Sequence, residues 1–512
     1  MRAAEVRAAG RLVACRAWRR AQQRPLQAAA LLLALLVCLS VAVLRHGGVG
    51  TSRSAVEVDA VFVTDCSDDQ EVWAQVFLSQ WRRAGSTTAR LTRILACGQE
   101  DARRLEESSR LAFGSLSVFV SPEPAGRGGD RHPCSSRPRA LWRWLRARPT
   151  SSRDHWVALL DPDMLVLRPT SPEGPWRAAG GALATHGSLP AEWRLVDVPP
   201  GVALAQRSRR LPQLWQEARL SLAALCADAR DQHAPWGCQD RLRGLFEDPD
   251  RVAADYAVGL PTLIRAQDLW RMADAWRFFA HRTQGQHPEA VAEALGWVLA
   301  ARHARVRFGY LDEAITDPGA PEAAWRRIDA GLGGDPCAGE AAEHFDTPAA
   351  YHGAKQEPAD GGGGGATAPP WLLHLCEAYA VSYAAAAGGR AELSLDPRQL
   401  PSAMRPQTAG RDGGRAASHG VGSLLNCSAP ALEMPPRDLL SRRLGPVGEG
   451  GGGAGAIEGP HAAPLLRRSA WVICLALRAL NTGLREHRLR ACPVSAVPPL
   501  TGGAVRSLAV AG

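Results

Sequence analysis

The chain has 512 residues, 46% of them hydrophobic, and a formal net charge of +9. That length allows roughly two to three domains and the apolar content is enough for a core. The positive charge is carried almost wholly by Arg, with Lys355 the only lysine, and is spread along the chain without a basic block or a nucleic-acid-binding motif, so nucleic-acid binding is excluded as a working reading.

Leu26 to Leu44 holds 19 residues without a charge. At about 1.5 Å per residue, such a run is just long enough to cross roughly 30 Å of hydrocarbon. Seven arginines precede it against one acid, Glu5, and few charges follow. The positive-inside rule therefore predicts a cytosolic tail (1–25), a transmembrane signal anchor (26–44) and a short stem (45–55), with the rest of the chain lumenal. A cleaved signal peptide and an organelle transit peptide are the alternatives. Ten cysteines follow the anchor, an even number that permits lumenal disulfides without revealing their pairing. No Cys-x-x-Cys pair occurs, which argues against a zinc ribbon. Asn426-Cys427-Ser428 is an N-glycosylation sequon, usable only in a lumenal chain.

Val58 to Asp65 reads as a first strand and Glu71 to Arg83 as a helix. Thr92 to Gly98 and Ser117 to Val120 read as two more strands. The stretch from Ser121 to Trp142, with its Pro, Gly and Arg, reads as loop, and Pro138 through Leu145 as the opening of a helix. His155 to Pro169 follows: an apolar run reaches Asp161-Pro162-Asp163, and a second apolar run leaves it. A continuously apolar strand is one covered on both faces. Pro162 should end it, placing Asp161 and Asp163 at its carboxyl end, where open α/β sheets bind ligands. Two hard carboxylate ligands suit Mg²⁺ or Mn²⁺ carrying substrate phosphates. As a bare tripeptide, Asp-Pro-Asp is equally a turn.

Gly180 to His186 reads as a strand, and Leu195 to Asp250 as mostly helix. Val258 to Ile264 is a short strand. Ala266 to Ala280 and Pro288 to His303 are helices, the first strongly amphipathic. Alternating strands and helices predict an α/β domain with a mainly parallel sheet over residues 56–386. Pro369-Pro370-Trp371 reads as the start of an amphipathic helix to about Ala386. Residues 387–512 are rich in Gly, Pro, Arg and Ala and are expected to be low-complexity and largely disordered, with a helix over Leu465 to Leu484.

An ordered set of motifs resembles the plant and algal peptidyl glycosyltransferases, namely the hydroxyproline O-arabinosyltransferases and peptidyl serine α-galactosyltransferases. The set runs Thr92-Arg93-Ile94-Leu95, Ser136-Arg137-Pro138 with Leu141-Trp142, Leu160 to Met164, Gly259-Leu260-Pro261, Leu269 to Trp276, Glu293 to Val298, Tyr351-His352-Gly353 and Pro369-Pro370-Trp371. The resemblance implies a GT-A-like nucleotide-sugar fold behind the anchor. It also implies metal-assisted transfer of arabinose or galactose from a UDP-sugar to a hydroxyproline or serine hydroxyl of secreted glycoproteins, in the Golgi or ER. It would make Asp161 and Asp163 ligands of Mn²⁺ or Mg²⁺ and His352 a third ligand, in a motif whose order is inverted from the family's His-Tyr-Gly. Thr64 and Asp65 end the first strand, where a nucleotide base could lie, and Arg137 could pair with the diphosphate by its planar fork. Glu293 and Trp297, one helical turn apart, are candidates to face the acceptor. The alternative reading is a membrane-anchored lumenal binding protein that keeps this fold without catalysis.

Overall fold

The computed structural model describes residues 56–84, 89–112, 116–122, 133–148, 155–167, 176–179, 192–193, 195–228, 234–284, 286–311, 314–315, 325–326, 328–329, 335–338, 371–375, 379–384, 390–395, 434–445 and 462–491. The expected anchor at 26–44, the strand at Gly180 to His186, His352 and the sequon lie outside these residues. Among the described residues no helix is long and apolar enough to cross a membrane.

Strands buried on both faces, such as Val58–Thr64 and Trp156–Leu160, assemble with their neighbours into one nine-stranded sheet. β1 (Val58–Thr64), β2 (Ala89–Cys97), β3 (Ser117–Pro122) and β4 (Trp156–Leu160) are mutually parallel, with β1 between β2 and β4. β9 (Val258–Arg265) runs antiparallel to β4 and to β8 (Val202–Arg207), and β10 (Arg307–Leu311) lies parallel to β8. Two short strands, β6 (Trp176–Ala179) and β7 (Glu192–Trp193), extend the β10 edge. The fold is thus α/β with a mainly parallel sheet, as expected, except that β9 and β6 run against their neighbours. Val202–Arg207 is a strand inside a region expected to be mostly helix. Its Ala and Leu are good helix formers, but burial between two strands overrides propensity.

Both sheet faces are covered, and the pleat shows how. Val61 and Val63 join a core with Ile94, Val157 and Leu159, while Phe62 faces the other way onto Phe77 at a ring separation of 5.0 Å. The first face is covered by α3 (Pro133–Ala147), α8 (Ala266–Gln284) and α9 (Glu289–Ala304). Four helices lie between them in sequence or precede them: α4 (Arg210–Ala218), α5 (Leu222–Leu225), α6 (Cys238–Glu247) and α7 (Asp250–Asp255), while α2 (Gln99–Ala112) follows β2. α3 starts five residues before the expected Pro138, which sits inside it. Gly296 lets α9 approach α8 closely: a Cβ there would lie 2.7 Å from the Ala280 backbone nitrogen.

The second face is covered by α1 (Asp68–Arg83), capped by the Ser67 side chain, and by the 30-residue α10 (Ala462–Ala491). α10 is buried from Ala470 to Leu477, close to α1 where Gly483 meets Val76. The region expected to be largely disordered therefore contains a core helix, longer than the expected Leu465 to Leu484. It is tied to the 335–338 segment by the Cys337–Cys474 disulfide. Cys66–Cys97 and Cys226–Cys238 are the other disulfides among the described residues.

The expected helix after Pro370 is instead a pair of strands. β12 (Leu372–His374) pairs antiparallel with β5 (Met164–Val166) and parallel with β11 (Ala314–Ile315). β13 (Tyr379–Ala384) lies between β14 (Arg390–Leu395) and β15 (Leu444–Gly445).

Candidate active site

β4 ends at Leu160, and the chain then turns through Asp161-Pro162-Asp163 before re-entering a strand at Met164. The Met164 amide donates to the Asp161 carbonyl at 3.2 Å, closing the turn over the proline. Asp-Pro-Asp is therefore both the turn and the candidate site. Strand β12 pins the turn from the far side: the Leu375 amide donates to the Asp163 carbonyl at 3.1 Å and the Leu167 amide to the Trp371 carbonyl at 2.8 Å. That pairing sets His374 opposite Met164.

The result is a three-residue cluster. His374 Nε2 lies 3.4 Å from Asp161 Oδ2 and 3.3 Å from Asp163 Oδ1. One ligand atom from each of Asp161, Asp163 and His374 lies within 4.8 Å of the others. Asp161 Oδ1 is buried against the Arg137 guanidinium, whereas Asp163 Oδ1 is buried and accepts no hydrogen bond. A buried carboxylate oxygen without such a partner is costly unless a cation satisfies it. Two carboxylates and an imidazole suit Mn²⁺ and are compatible with Mg²⁺, so these residues fit a divalent ion.

Arg137, on α3, joins the cluster from the first sheet face. Its Nη2 lies 2.8 Å from Asp161 Oδ1 and its Nη1 lies 3.1 Å from Glu293 Oε1 on α9. The Nη2 contact is a close ion pair. Burial pushes the Asp161 carboxyl up, but Arg137 and His374 outweigh it and hold it well below the usual carboxylate range.

The structure thus brings Asp161, Asp163, Arg137 and Glu293 together, four of the residues singled out in the sequence. His374 was not among them. Thr64 and Asp65 leave the sheet at the same carboxyl edge, because β1 and β4 are parallel with Phe62 beside Leu160. The Thr64 hydroxyl is committed: it accepts from Arg93 Nε at 3.1 Å, within a buried network in which Arg93 also pairs with Glu71 and donates to Ser109. Asp65 accepts from the Ser67 amide at 2.8 Å and so shapes the entry to α1. Trp297 belongs to the core. It meets Trp276 edge-on at 4.7 Å, and Trp276 Nε1 donates to the Glu293 carbonyl at 3.1 Å, fixing the turn of α9 that carries Glu293.

No protein-family model matches the chain, and no curated protein matches it. Solved structures do. A bifunctional glycosyltransferase, WbbM, in its apo form is 11% identical with a TM-score of 0.30, over 63% of this chain and 46% of its own, so the chain spans less than half of that protein. The galactosyltransferase LgtC, in complex with donor and acceptor sugar analogues, is 13% identical with a TM-score of 0.29, over 62% and 87%. Mouse xyloside xylosyltransferase 1, apo, is 11% identical with a TM-score of 0.29, over 62% and 97%. Scores this low assign no activity, and the functional reading rests on the residues of the site.

Proposed function

We propose that the protein is a metal-assisted glycosyltransferase that moves a sugar, arabinose or galactose, from a UDP-sugar to a hydroxyproline or serine hydroxyl of a secreted peptide. The observation that carries this reading is the convergence of Asp161, Asp163 and His374 at the carboxyl end of β4, with the buried Asp163 Oδ1 lacking a hydrogen bond. Ligands bind at that end of strands in open α/β sheets. A divalent cation held by these three residues would neutralise the donor diphosphate and make it a better leaving group.

The chain's own groups have separate tasks. Asp161, Asp163 and His374 would hold the cation. Arg137 offers a planar fork to the diphosphate. The β1 edge at Thr64 and Asp65 lies beside the turn, where the base and ribose of the nucleotide would rest. Three disulfides support an oxidising compartment, which agrees with a Golgi or ER lumenal domain behind a signal anchor at 26–44.

The test is a donor screen on the purified full-length protein, with and without Mn²⁺, using hydroxyproline-rich and serine-rich peptides. Transfer from a UDP-sugar that depends on Mn²⁺ and is abolished in Asp163→Ala supports the reading. Binding of UDP-sugar with Mn²⁺ that is unchanged in Asp163→Ala overturns it and favours a non-catalytic binding protein.

A further inference from the structure

Asp161 and Glu293 place two carboxylates around one guanidinium. The side chains of Arg137, Asp161 and Glu293 are 25%, 15% and 12% exposed, so solvent screens them only in part. The Arg137 fork is divided. One terminal nitrogen meets the turn after β4 and the other meets α9. A parallel two-bond arrangement on one partner is the one in which Arg binds a carboxylate or phosphate most strongly.

The two oxygens of Asp161 are divided as well. Oδ2 faces His374 and the metal cluster, while Oδ1 faces Arg137. Arg137 thus lowers the negative charge of a metal ligand from outside the cluster. A diphosphate entering beside the metal offers the same guanidinium two phosphate oxygens at once. Exchanging a guanidinium divided between two carboxylates for a parallel two-bond pair with one diphosphate is favourable.

We propose that Asp161 and Glu293 hold Arg137 as a stored cation that donor binding withdraws, so that Glu293 is a positioning residue for Arg137 and the diphosphate completes its tie to the metal by taking Arg137 from Asp161. The proposal rests on the glycosyltransferase reading above and deepens it. It assigns Glu293 a different task from facing the acceptor. It also couples the two ligands: freeing Asp161 from Arg137 strengthens its hold on the metal, and the donor brings this about.

Mn²⁺ binding, followed by the electron paramagnetic resonance signal of free Mn²⁺, tests this without any turnover. It is measured on the purified full-length protein with and without UDP. Arg137→Met removes the competing charge, so it should bind Mn²⁺ roughly three- to tenfold more tightly without UDP, the range expected of one partly exposed ion pair. It should also lose most of the strengthening that UDP gives the wild type. Glu293→Gln leaves Arg137 to Asp161 alone, so it should weaken Mn²⁺ binding without UDP. Arg137→Lys keeps the charge but not the fork: it should bind Mn²⁺ like the wild type and respond less to UDP. This conservative variant keeps the test decisive if circular dichroism shows that Arg137→Met does not fold. Mn²⁺ affinity that is unchanged or weakened in Arg137→Met, or a full UDP response in Arg137→Lys, overturns the proposal. A wild type that binds no Mn²⁺, or an Asp163→Ala variant that binds it equally well, overturns the glycosyltransferase reading itself and this inference with it.

Discussion

His374 reaches Asp163 across strands separated by more than 200 residues of sequence, its Nε2 3.3 Å from Asp163 Oδ1, because β12 pairs with β5 directly behind the Asp-Pro-Asp turn. The imidazole is therefore held by the sheet ladder and not by a loop. His374→Ala removes one of three ligands but leaves the ladder intact. It should weaken Mn²⁺ affinity by about 10- to 100-fold, the scale seen when a metal site loses a supporting group, with little change in melting temperature. Isothermal titration with Mn²⁺ and a thermal melt check both halves. Wild-type affinity in His374→Ala would show that the two aspartates suffice.

The contrast between the aspartates and His374 shows what could be read from the chain. Asp161 and Asp163 announce themselves because Trp156 to Leu160 is unbroken apolar sequence ended by Pro162, and both signals are local. His374 sits in Trp-Leu-Leu-His-Leu, where four apolar residues of five have neither strand nor helix period. Only pairing with β5 makes that segment a strand, and pairing is a tertiary fact. The same holds for Val202–Arg207, whose Val-Ala-Leu-Ala start favours helix until β9 and β10 enclose it. α10 was legible as a helix over Leu465 to Leu484 but not as part of the core. The glycine-rich composition around it dominates any window, although Ala470 to Leu477 is apolar enough to fill a core. Arg137 and Glu293 were legible as candidates but not as a pair, since 155 positions of sequence hide their contact.

The buried Arg93–Glu71 ion pair underlies the β1 edge. Both side chains are almost wholly excluded from solvent, at 0% and 3% exposure. Arg93 also ties Thr64 and Ser109. Removing one partner leaves an uncompensated buried charge, which costs about 3–5 kcal/mol. Glu71→Gln should therefore lower the urea midpoint sharply, and Arg93→Met combined with Glu71→Leu should recover part of the loss. A double variant as unstable as the single one would mean that packing, and not the stranded charge, sets the cost.

Gly296 tests the α8–α9 contact that carries Glu293. A Cβ at this position would lie 2.8 Å from Ala280 Cα, against backbone that cannot swing aside. Gly296→Ala should cost about 1–3 kcal/mol by overpacking, outweighing the better helix propensity of Ala. It should also shift Glu293 relative to Arg137, so Mn²⁺ affinity should move together with stability. A stabilised variant with unchanged Mn²⁺ binding would show that the helices can separate freely.

His487 on α10 gives the domain a pH dependence in the mildly acidic range. Burial pushes its imidazole down to about 4; Glu71 opposes the shift, while Arg490 and Arg488 add to it. In the unfolded chain the group titrates near 6.5. The unfolded state therefore takes up a proton at a higher pH than the folded state does. The stability contributed by keeping this imidazole neutral is complete above about 6.5 and falls as pH drops from there toward about 4. His487→Gln keeps a polar side chain of similar reach but has no proton to take up. Urea midpoints for the wild type should decline between these two pH values more steeply than those of His487→Gln, with the two curves parallel above pH 7. Parallel curves through the acidic range would show that the folded protein accommodates the charged imidazole, through Glu71, as readily as water does.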